Sequence, residues 1–236
     1  MGMLFGVVVK VRHLMNQETG DNPIPRTRSA ALIIFSRVAS IIFHPLFMTT
    51  IMAVLLNAFL RPDFSRPSSK EFERWTVQLF LYTVVLPFLS ILLFRITGLI
   101  SNAKMHKPRD RVLPLIATLV FYFLAYELLV VRYRVGGLMQ NLLLGSCCAI
   151  SIMLIINFFY KVSVHTTAAA ILPGMCLILA ITEATTPFAL LLLAVSVAIV
   201  VGAIRWFLGS HTMGQILLGY AVGIFSQLGA YFTIHT

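Results

Sequence analysis

Charged residues are scarce in this chain. They make up only 11% of its 236 residues, whereas hydrophobic residues make up 59%. About a quarter of the residues in a soluble domain are charged. The mean hydropathy of +0.92 points the same way. The composition excludes an ordinary soluble domain and predicts a polytopic membrane protein.

Acidic residues are the rarest charged class, with 8 Asp and Glu against 18 Lys and Arg. In a soluble protein this excess would suggest nucleic acid. Here the basic residues gather in short segments between apolar runs, which favours anionic headgroups or phosphate ligands and not nucleic acid. The few acids and the widely spaced histidines offer no local metal-ligand set, so we expect no metal and no other cofactor.

Cysteine is also rare, and its three positions show neither metal-binding spacing nor a disulfide pattern. Cys147, Cys148 and Cys176 all lie inside apolar runs. Small side chains of this kind are usually buried as hydrophobes. The cysteines therefore indicate nothing about the redox environment.

What the chain has in abundance is long apolar runs. Each is close to the ~20 residues that a helix needs to cross a bilayer. The sequence therefore predicts an all-α, polytopic transmembrane bundle of about six to seven spans. We interpret residues 1–34 as a basic surface segment and residues 35–236 as one transmembrane domain. The predicted spans are 35–60, 75–100, 113–131, 138–159, 168–182, 188–204 and a last helix ending near 233.

The polar segments between these spans alternate between the two faces of the membrane. Two spans separate the cationic loop 101–112 from the polar break 160–167, and two more separate that break from the turn at 205–212. Because an even number of crossings returns the chain to the same side, these three segments are predicted to share one face. Residues 61–74 and 183–187 are predicted to be loops.

Two features inside the apolar runs have structural interpretations. His44-Pro45 predicts a local kink, with a buried polar contribution to a site as the alternative. The Gly219-x-x-x-Gly223 pair in the last helix would let a neighbouring helix approach closely.

The segment from Arg205 to Gln215 combines an arginine, a histidine six residues later and a glutamine four residues after that. Positions i and i+4 of a helix face each other, so Gln215 can hydrogen-bond the His211 ring. Arg205 could hold an anion beside that ring. The alternative is that Arg205 only extends to the membrane interface and His211 only begins the next helix.

Three motifs in this order resemble those of the type-2 phosphatidic acid phosphatase superfamily, which shares its core with vanadium haloperoxidases. That family carries Lys-x6-Arg-Pro, Pro-Ser-Gly-His and Ser-Arg-x5-His-x3-Asp. The chain differs at the proline after Arg111, at half of the second motif, and at Gln215, which replaces an aspartate. The matching stretches are Lys104-x6-Arg111, Val162-Ser163-Val164-His165 and Arg205-x5-His211-x3-Gln215.

The resemblance implies a role for each matching residue. Lys104, Arg111 and Arg205 would hold a phosphate without a metal. His211 would be the nucleophile that forms a phosphohistidine, and His165 would be the general acid and base.

The remaining polar residues near the motifs have alternative roles. Ser163 would either donate a hydrogen bond to the phosphate or cap the following helix. Gln215 can accept a hydrogen bond from the His211 ring but carries no charge. Asp110 is the nearest carboxylate that could replace the missing acid. Glu127 lies about 21 Å along its helix from the site face, so it is interpreted as a structural residue or a partner of the substrate tail.

The predicted function is hydrolysis of a phosphomonoester or pyrophosphate on a membrane lipid. Candidate substrates are phosphatidate, phosphatidylglycerol phosphate, a polyprenyl pyrophosphate and a lipid A phosphate. The alternatives are a lipid phosphotransferase and a catalytically silent binder or transporter of anionic lipid. The resemblance implies the bacterial inner membrane. The basic residues are divided almost evenly between the two faces and do not set the orientation.

Overall fold

The computed structural model describes residues 30–59, 69–100, 108–182 and 188–235, and within these ranges the chain is helical without strands. Six helices are long and apolar enough to cross a membrane, or seven if the bent first pair counts as one further span. The predicted all-α polytopic bundle is confirmed. The helices are α1 Ala30–Ile42, α2 Pro45–Phe59, α3 Ser69–Phe80, α4 Leu86–Ile96, α5 Pro108–Tyr126, α6 Leu138–Ile156, α7 Val164–Ala169, α8 Ile171–Ile181, α9 Phe188–Phe207 and α10 Met213–His235. The π-helical segment Leu81–Val85 joins α3 and α4 into one span, and the π-helical segment Glu127–Arg132 continues α5 in the same span. α7 and α8 together form the span Val164–Ile181.

Several predicted features lie outside the described residues. These are most of the basic segment, the centre of the loop after α2, Lys104 with its neighbours 101–107, and the turn 183–187. The first described helix, α1, begins at Ala30, before residue 35, where the first span was predicted to begin.

Three further helices begin earlier than predicted, at residues that suit a helix start. α3 begins at Ser69 with a charged first turn, so residues 69–74 are not a loop. α5 begins with Pro108, since proline is favoured at the first helical position, where no N–H is needed. α7 begins at Val164 because Ser163 caps it. As a result, Arg111 and His165 are held by helices rather than by loops.

The predicted kink at His44-Pro45 is confirmed. α1 and α2 meet at an angle of 58° across a break of two residues. Proline fixes its own backbone and lacks an N–H, so it starts α2 and cannot continue α1. The bend places His44 at the end of the bundle where α7 begins.

Glycines control how closely the helices approach, as is usual where lipid supplies no hydrophobic driving force between helices. A Cβ added to Gly219 would clash with Thr166 Oγ1 and lie 2.9 Å from the Ser163 carbonyl oxygen. A Cβ on Gly223 would lie 2.6 Å from Ala170 Cβ. The predicted close approach is therefore confirmed, and the partner of α10 is the short helix α7 that carries His165.

A neutral amide pair lies in the packed interior between α6 and α10. Asn141 Nδ2 donates to Gln227 Oε1 at 3.2 Å, and both residues are buried. Gly145 and Gly174 leave just enough room for the Gln227 side chain, since a Cβ at either position would press against it. The three cysteines are free, and Cys176 is buried as predicted.

Candidate phosphate site at one end of the bundle

A cavity of about 260 Å³ opens at the end of the bundle where α5, α7 and α10 begin and α9 ends. The basic residues that line it come from five separate parts of the chain: His44, Arg111, His165, Arg205 and His211. Four of these were predicted to meet, together with Lys104, which lies outside the described residues, and the structure brings the four to one cavity. The fifth, His44, is an addition.

The His211 ring is hydrogen-bonded to Gln215, as predicted, although His211 lies two residues before the start of α10 and is not itself helical. His211 Nδ1 and Gln215 Oε1 are 2.9 Å apart, and both residues are buried. The backbone N–H of Thr212 also donates to Gln215 Oε1, at 3.4 Å. Because that oxygen can only accept, Nδ1 carries the ring proton. The neutral His211 ring therefore keeps the lone pair on Nε2.

The electrostatics of the cavity keep His211 uncharged. Burial, and after it the positive charge of Arg205, lowers the pKa of His211 to about 3, although the Gln215 hydrogen bond acts in the opposite direction. An imidazole with this pKa is neutral around pH 7. A neutral imidazole with a free Nε2 is the form that can act as a nucleophile.

His165 lies in the first turn of α7, and the start of that helix is tied to α10. Ser163 Oγ accepts from the Thr166 N–H at 3.4 Å, and the Ser163 N–H donates to the Gln215 carbonyl oxygen at 3.3 Å. Ser163 is fully buried and is not among the residues that line the cavity. The structure thus supports the capping role of Ser163 and places it outside the phosphate site.

His44 is adjacent to His165 at the kink between α1 and α2. Their ring centroids are 5.7 Å apart, with an angle of 76° between the planes. His44 Nδ1 accepts from the Leu46 N–H at 3.4 Å, which leaves Nε2 for other contacts. The alternative that His44 contributes to the site is the one that this geometry supports. The only sequence signal was a histidine next to a proline in an apolar run.

Two guanidinium groups face the cavity. Arg205, in the last turn of α9, has a buried Nε with no hydrogen-bond partner in the described part of the chain. Arg111, in the first turn of α5, donates from Nη1 to the Val162 carbonyl oxygen at 3.4 Å. The buried Arg205 Nε, which has no partner among the described residues, favours an anion in the cavity.

Lys161 adds a further positive charge that the motifs did not identify. Its ammonium donates to the Ser210 carbonyl oxygen at 3.2 Å, directly before His211. Burial first, and then Arg111 and Arg205, lower the pKa of Lys161. The lysine therefore holds the turn before His211 in place and lies within electrostatic reach of both arginines.

Carboxylates are missing from the lining of this cavity, as far as the described residues show. Asp110, in the first turn of α5, and Glu127, at the far end of the same span, are not among the lining residues. The position that the family gives to an aspartate is therefore filled by the Gln215 amide alone. The described ranges also contain no cluster of three His, Cys, Asp or Glu side chains suited to a metal ion.

The chain matches no family model, no curated protein and no solved structure. The chemistry that the site could perform is therefore inferred from its own residues and not from relatives. These residues combine two arginines, a neutral imidazole with a free Nε2 and a second imidazole on the wall of the same cavity.

Proposed function

We propose that the protein is an integral-membrane lipid phosphatase that hydrolyses a phosphomonoester or pyrophosphate through a phosphohistidine. The observation that supports this best is the convergence of His165, His211, Arg111 and Arg205 on one cavity at the end of the transmembrane helices. The membrane helices on every side suit a lipid substrate. The resemblance to type-2 phosphatidic acid phosphatases leads us to propose the bacterial inner membrane as its location.

In the first step, His211 Nε2 attacks the phosphorus in line with the lipid oxygen. The N–P bond forms and the P–O bond breaks. His165, which takes up a proton when the anionic substrate binds beside it, gives that proton to the departing oxygen. Arg111 and Arg205 neutralise charge on the equatorial oxygens, where planar guanidinium groups fit well. Gln215 keeps the Nδ1 proton in place and so directs the reactive lone pair.

In the second step, water attacks the phosphohistidine. His165, now neutral, takes a proton from the water, the N–P bond breaks, and inorganic phosphate leaves with His211 restored to its neutral form. Lys104 would add a further positive charge. The lipid product would be an alcohol from a monoester or a lipid monophosphate from a pyrophosphate.

A second candidate function is binding or transport of an anionic lipid without turnover. Gln215 favours it, because an amide stabilises a charged imidazole less than a carboxylate does. In a triad protease the comparable acid-to-amide change costs about four orders of magnitude in rate. On this alternative the arginines would hold the headgroup and His211 would only be a hydrogen-bond donor or acceptor.

Phosphate release from a panel of lipid phosphates and pyrophosphates distinguishes the two functions. We expect purified wild-type protein in detergent to release phosphate and His211→Ala to release none. Phosphate trapped on the protein after an acid-free quench should appear only when His211 is present. A wild type that binds labelled lipid phosphate but releases no phosphate from any lipid would contradict the enzyme proposal and support the binder.

A further inference from the structure

The cavity continues from the cationic end into the interior of the bundle. Along α5 its lining residues are Arg111, Pro114, Leu115, Thr118 and Tyr122, which share one face of the helix. Tyr122 is eleven residues beyond Arg111, which corresponds to about 16 Å at about 1.5 Å per residue. The hydrocarbon core of a bilayer is about 30 Å thick. The cavity therefore extends over about one leaflet.

Most of the wall between these two ends is apolar. Uncharged aliphatic and thioether side chains from α2, α4, α5, α6, α7 and α8 supply it. They include Leu46, Ile91, Leu115, Ile150, Met153 and Ile171. A cavity with cations at one end and apolar side chains along its length is complementary to a lipid that carries a phosphate group at one end of a hydrocarbon chain.

The inner end of the cavity is closed by hydroxyl groups that satisfy one another. Ser146 donates to the Leu142 carbonyl oxygen at 2.7 Å, so it accepts from Thr49 at 3.4 Å. Thr49 in turn accepts from the Tyr122 hydroxyl at 3.1 Å. All three hydroxyl residues are buried. The chain of hydrogen bonds fixes the Tyr122 ring and requires no polar group from a ligand.

Beyond Tyr122 there is no space for a ligand in the described bundle to continue into. Ala125 and Leu129, the next inward-facing residues of this span, are fully buried in the main core cluster. Met52 and Leu142 belong to the same cluster. The Tyr122 ring thus separates the cavity from close-packed side chains.

We propose that one hydrocarbon chain of the phosphorylated lipid lies in this cavity and that Tyr122 is the residue that limits its length. The proposal rests on the proposed function for the position of the phosphate, which Arg111 and Arg205 would hold. A chain of about one leaflet's depth fills the space. A longer chain meets the fixed tyrosine ring and must bend or leave its end outside.

A series of alkyl phosphates from octyl to hexadecyl tests this proposal, with turnover measured for each. The matching non-hydrolysable alkyl phosphonates give binding separately from turnover. Each alkyl phosphate partitions into detergent to the same extent for all variants. The ratio of the variant's turnover to the wild-type turnover at each chain length therefore reports on the cavity alone. One methylene too many in a hydrophobic pocket costs roughly tenfold or more. We expect Tyr122→Ala to gain at least that factor for the longest chains relative to the shortest.

Two further variants serve as controls, and a third is a second test. Tyr122→Phe keeps the ring and should keep the wild-type preference. Phe123→Ala removes a ring one position along the same helix, where the side chain is exposed, and should also leave the preference unchanged. Ala149→Leu fills the cavity from α6 and should shift the preference to shorter chains, which provides the test if Tyr122→Ala does not fold.

Identical chain-length profiles for the wild type and the cavity variants would overturn the proposal, as would an equal shift in Phe123→Ala. Binding of inorganic phosphate should be the same in all variants. If the phosphonates bind with the expected chain-length profile but no phosphate is turned over, the phosphatase proposal fails and the proposed site for the hydrocarbon chain is supported. If the phosphates are turned over without this profile, the phosphatase proposal is supported and the site for the hydrocarbon chain fails.

Discussion

Helix α10 carries two buried glutamines, and they have different surroundings. Gln215 accepts from the His211 ring beside the cationic cavity. Gln227, three turns further along, accepts from Asn141 where Gly145 and Gly174 close the space around it. Both amides are almost fully buried. The same residue type thus contributes to a candidate site at one end of the helix and to close packing in its middle.

The difference shows that a buried polar pair does not by itself indicate a site. Within the described ranges, Gln227 has neither free volume nor a cation beside it. Gln215 lies next to an imidazole that faces an open cavity, and that cavity has two guanidinium groups on its wall. Open space and the two guanidinium groups that line it, rather than burial of a polar group, distinguish the candidate site.

The largest effect is expected from adding a carboxylate at each glutamine. Gln215→Glu keeps the oxygen position and gives His211 a charged partner, so phosphate release should rise, by up to about 10⁴-fold if the amide limits the rate as it does in a triad protease. Initial rates on the best lipid substrate measure this.

The same substitution in the interior is the matched control. Gln227→Glu places an acid where no cation lies and no space is available, so we expect a loss of stability of roughly 1–3 kcal/mol and no gain in rate. Thermal unfolding in detergent measures the loss. An equal change in rate for both variants would show that Gln215 has no special relation to the chemistry.

The next effect in size concerns the guanidinium group at the cavity wall. Arg205→Lys keeps the charge but loses the planar fork, so kcat/KM should fall by about 10²–10³ if the group stabilises the transition state. Arg95→Lys, at an exposed position in the last turn of α4, should change nothing. A wild-type kcat/KM in Arg205→Lys would remove this residue from the site.

Replacing His44 should have a smaller effect, because the residue would act through His165. His44→Asn retains an acceptor for the Leu46 N–H and removes only the ring next to His165. We expect kcat to fall by roughly 10–100-fold with little change in KM, as for a misplaced catalytic group. If KM rises and kcat stays constant, His44 contacts the substrate rather than positioning His165.

The smallest effect is a pH dependence of stability. The folded protein holds the His211 pKa at about 3, whereas an unfolded chain has a histidine pKa of about 6.5. Between about pH 3 and pH 6.5 the His211 imidazole is therefore protonated in the unfolded state and neutral in the folded state. Stability should therefore decrease as the pH falls from about 6.5 towards 3, with a limiting slope of about 1.4 kcal/mol per pH unit.

Thermal unfolding of the wild type and of His211→Asn between about pH 7 and pH 4 measures this slope. The variant should show a weaker dependence on pH. His235→Asn, at an exposed position near the end of α10, should behave like the wild type. Parallel curves for the wild type and His211→Asn would exclude His211 as the source of the dependence.

The sequence predicts the spans and the residues that meet, because apolar length and motif spacing are local properties. The convergence of Arg111, His165, Arg205 and His211 followed from counting crossings. Helix starts at Pro108 and Val164 were missed, since capping residues extend a helix beyond its apolar part.

The contributions of His44, Lys161 and Tyr122 could not be derived in the same way. Each depends on which helices are neighbours, and no local pattern specifies that. Tyr122 in particular lies within an apolar run, and only its distance from Arg111 and its contact with Thr49 give it a position at the end of the cavity.

The close contact between α10 and α7 at Gly219 and Gly223 has a consequence for how the protein would lose its activity. α10 carries Gln215, borders His211 and, through Gly219 and Gly223, supports the helix of His165. A slide of this single helix along its axis would displace both imidazoles together. Inactivation by heat or by loosening of the C-terminal helix should therefore occur in one step, without a stage at which one histidine remains in register and the other does not.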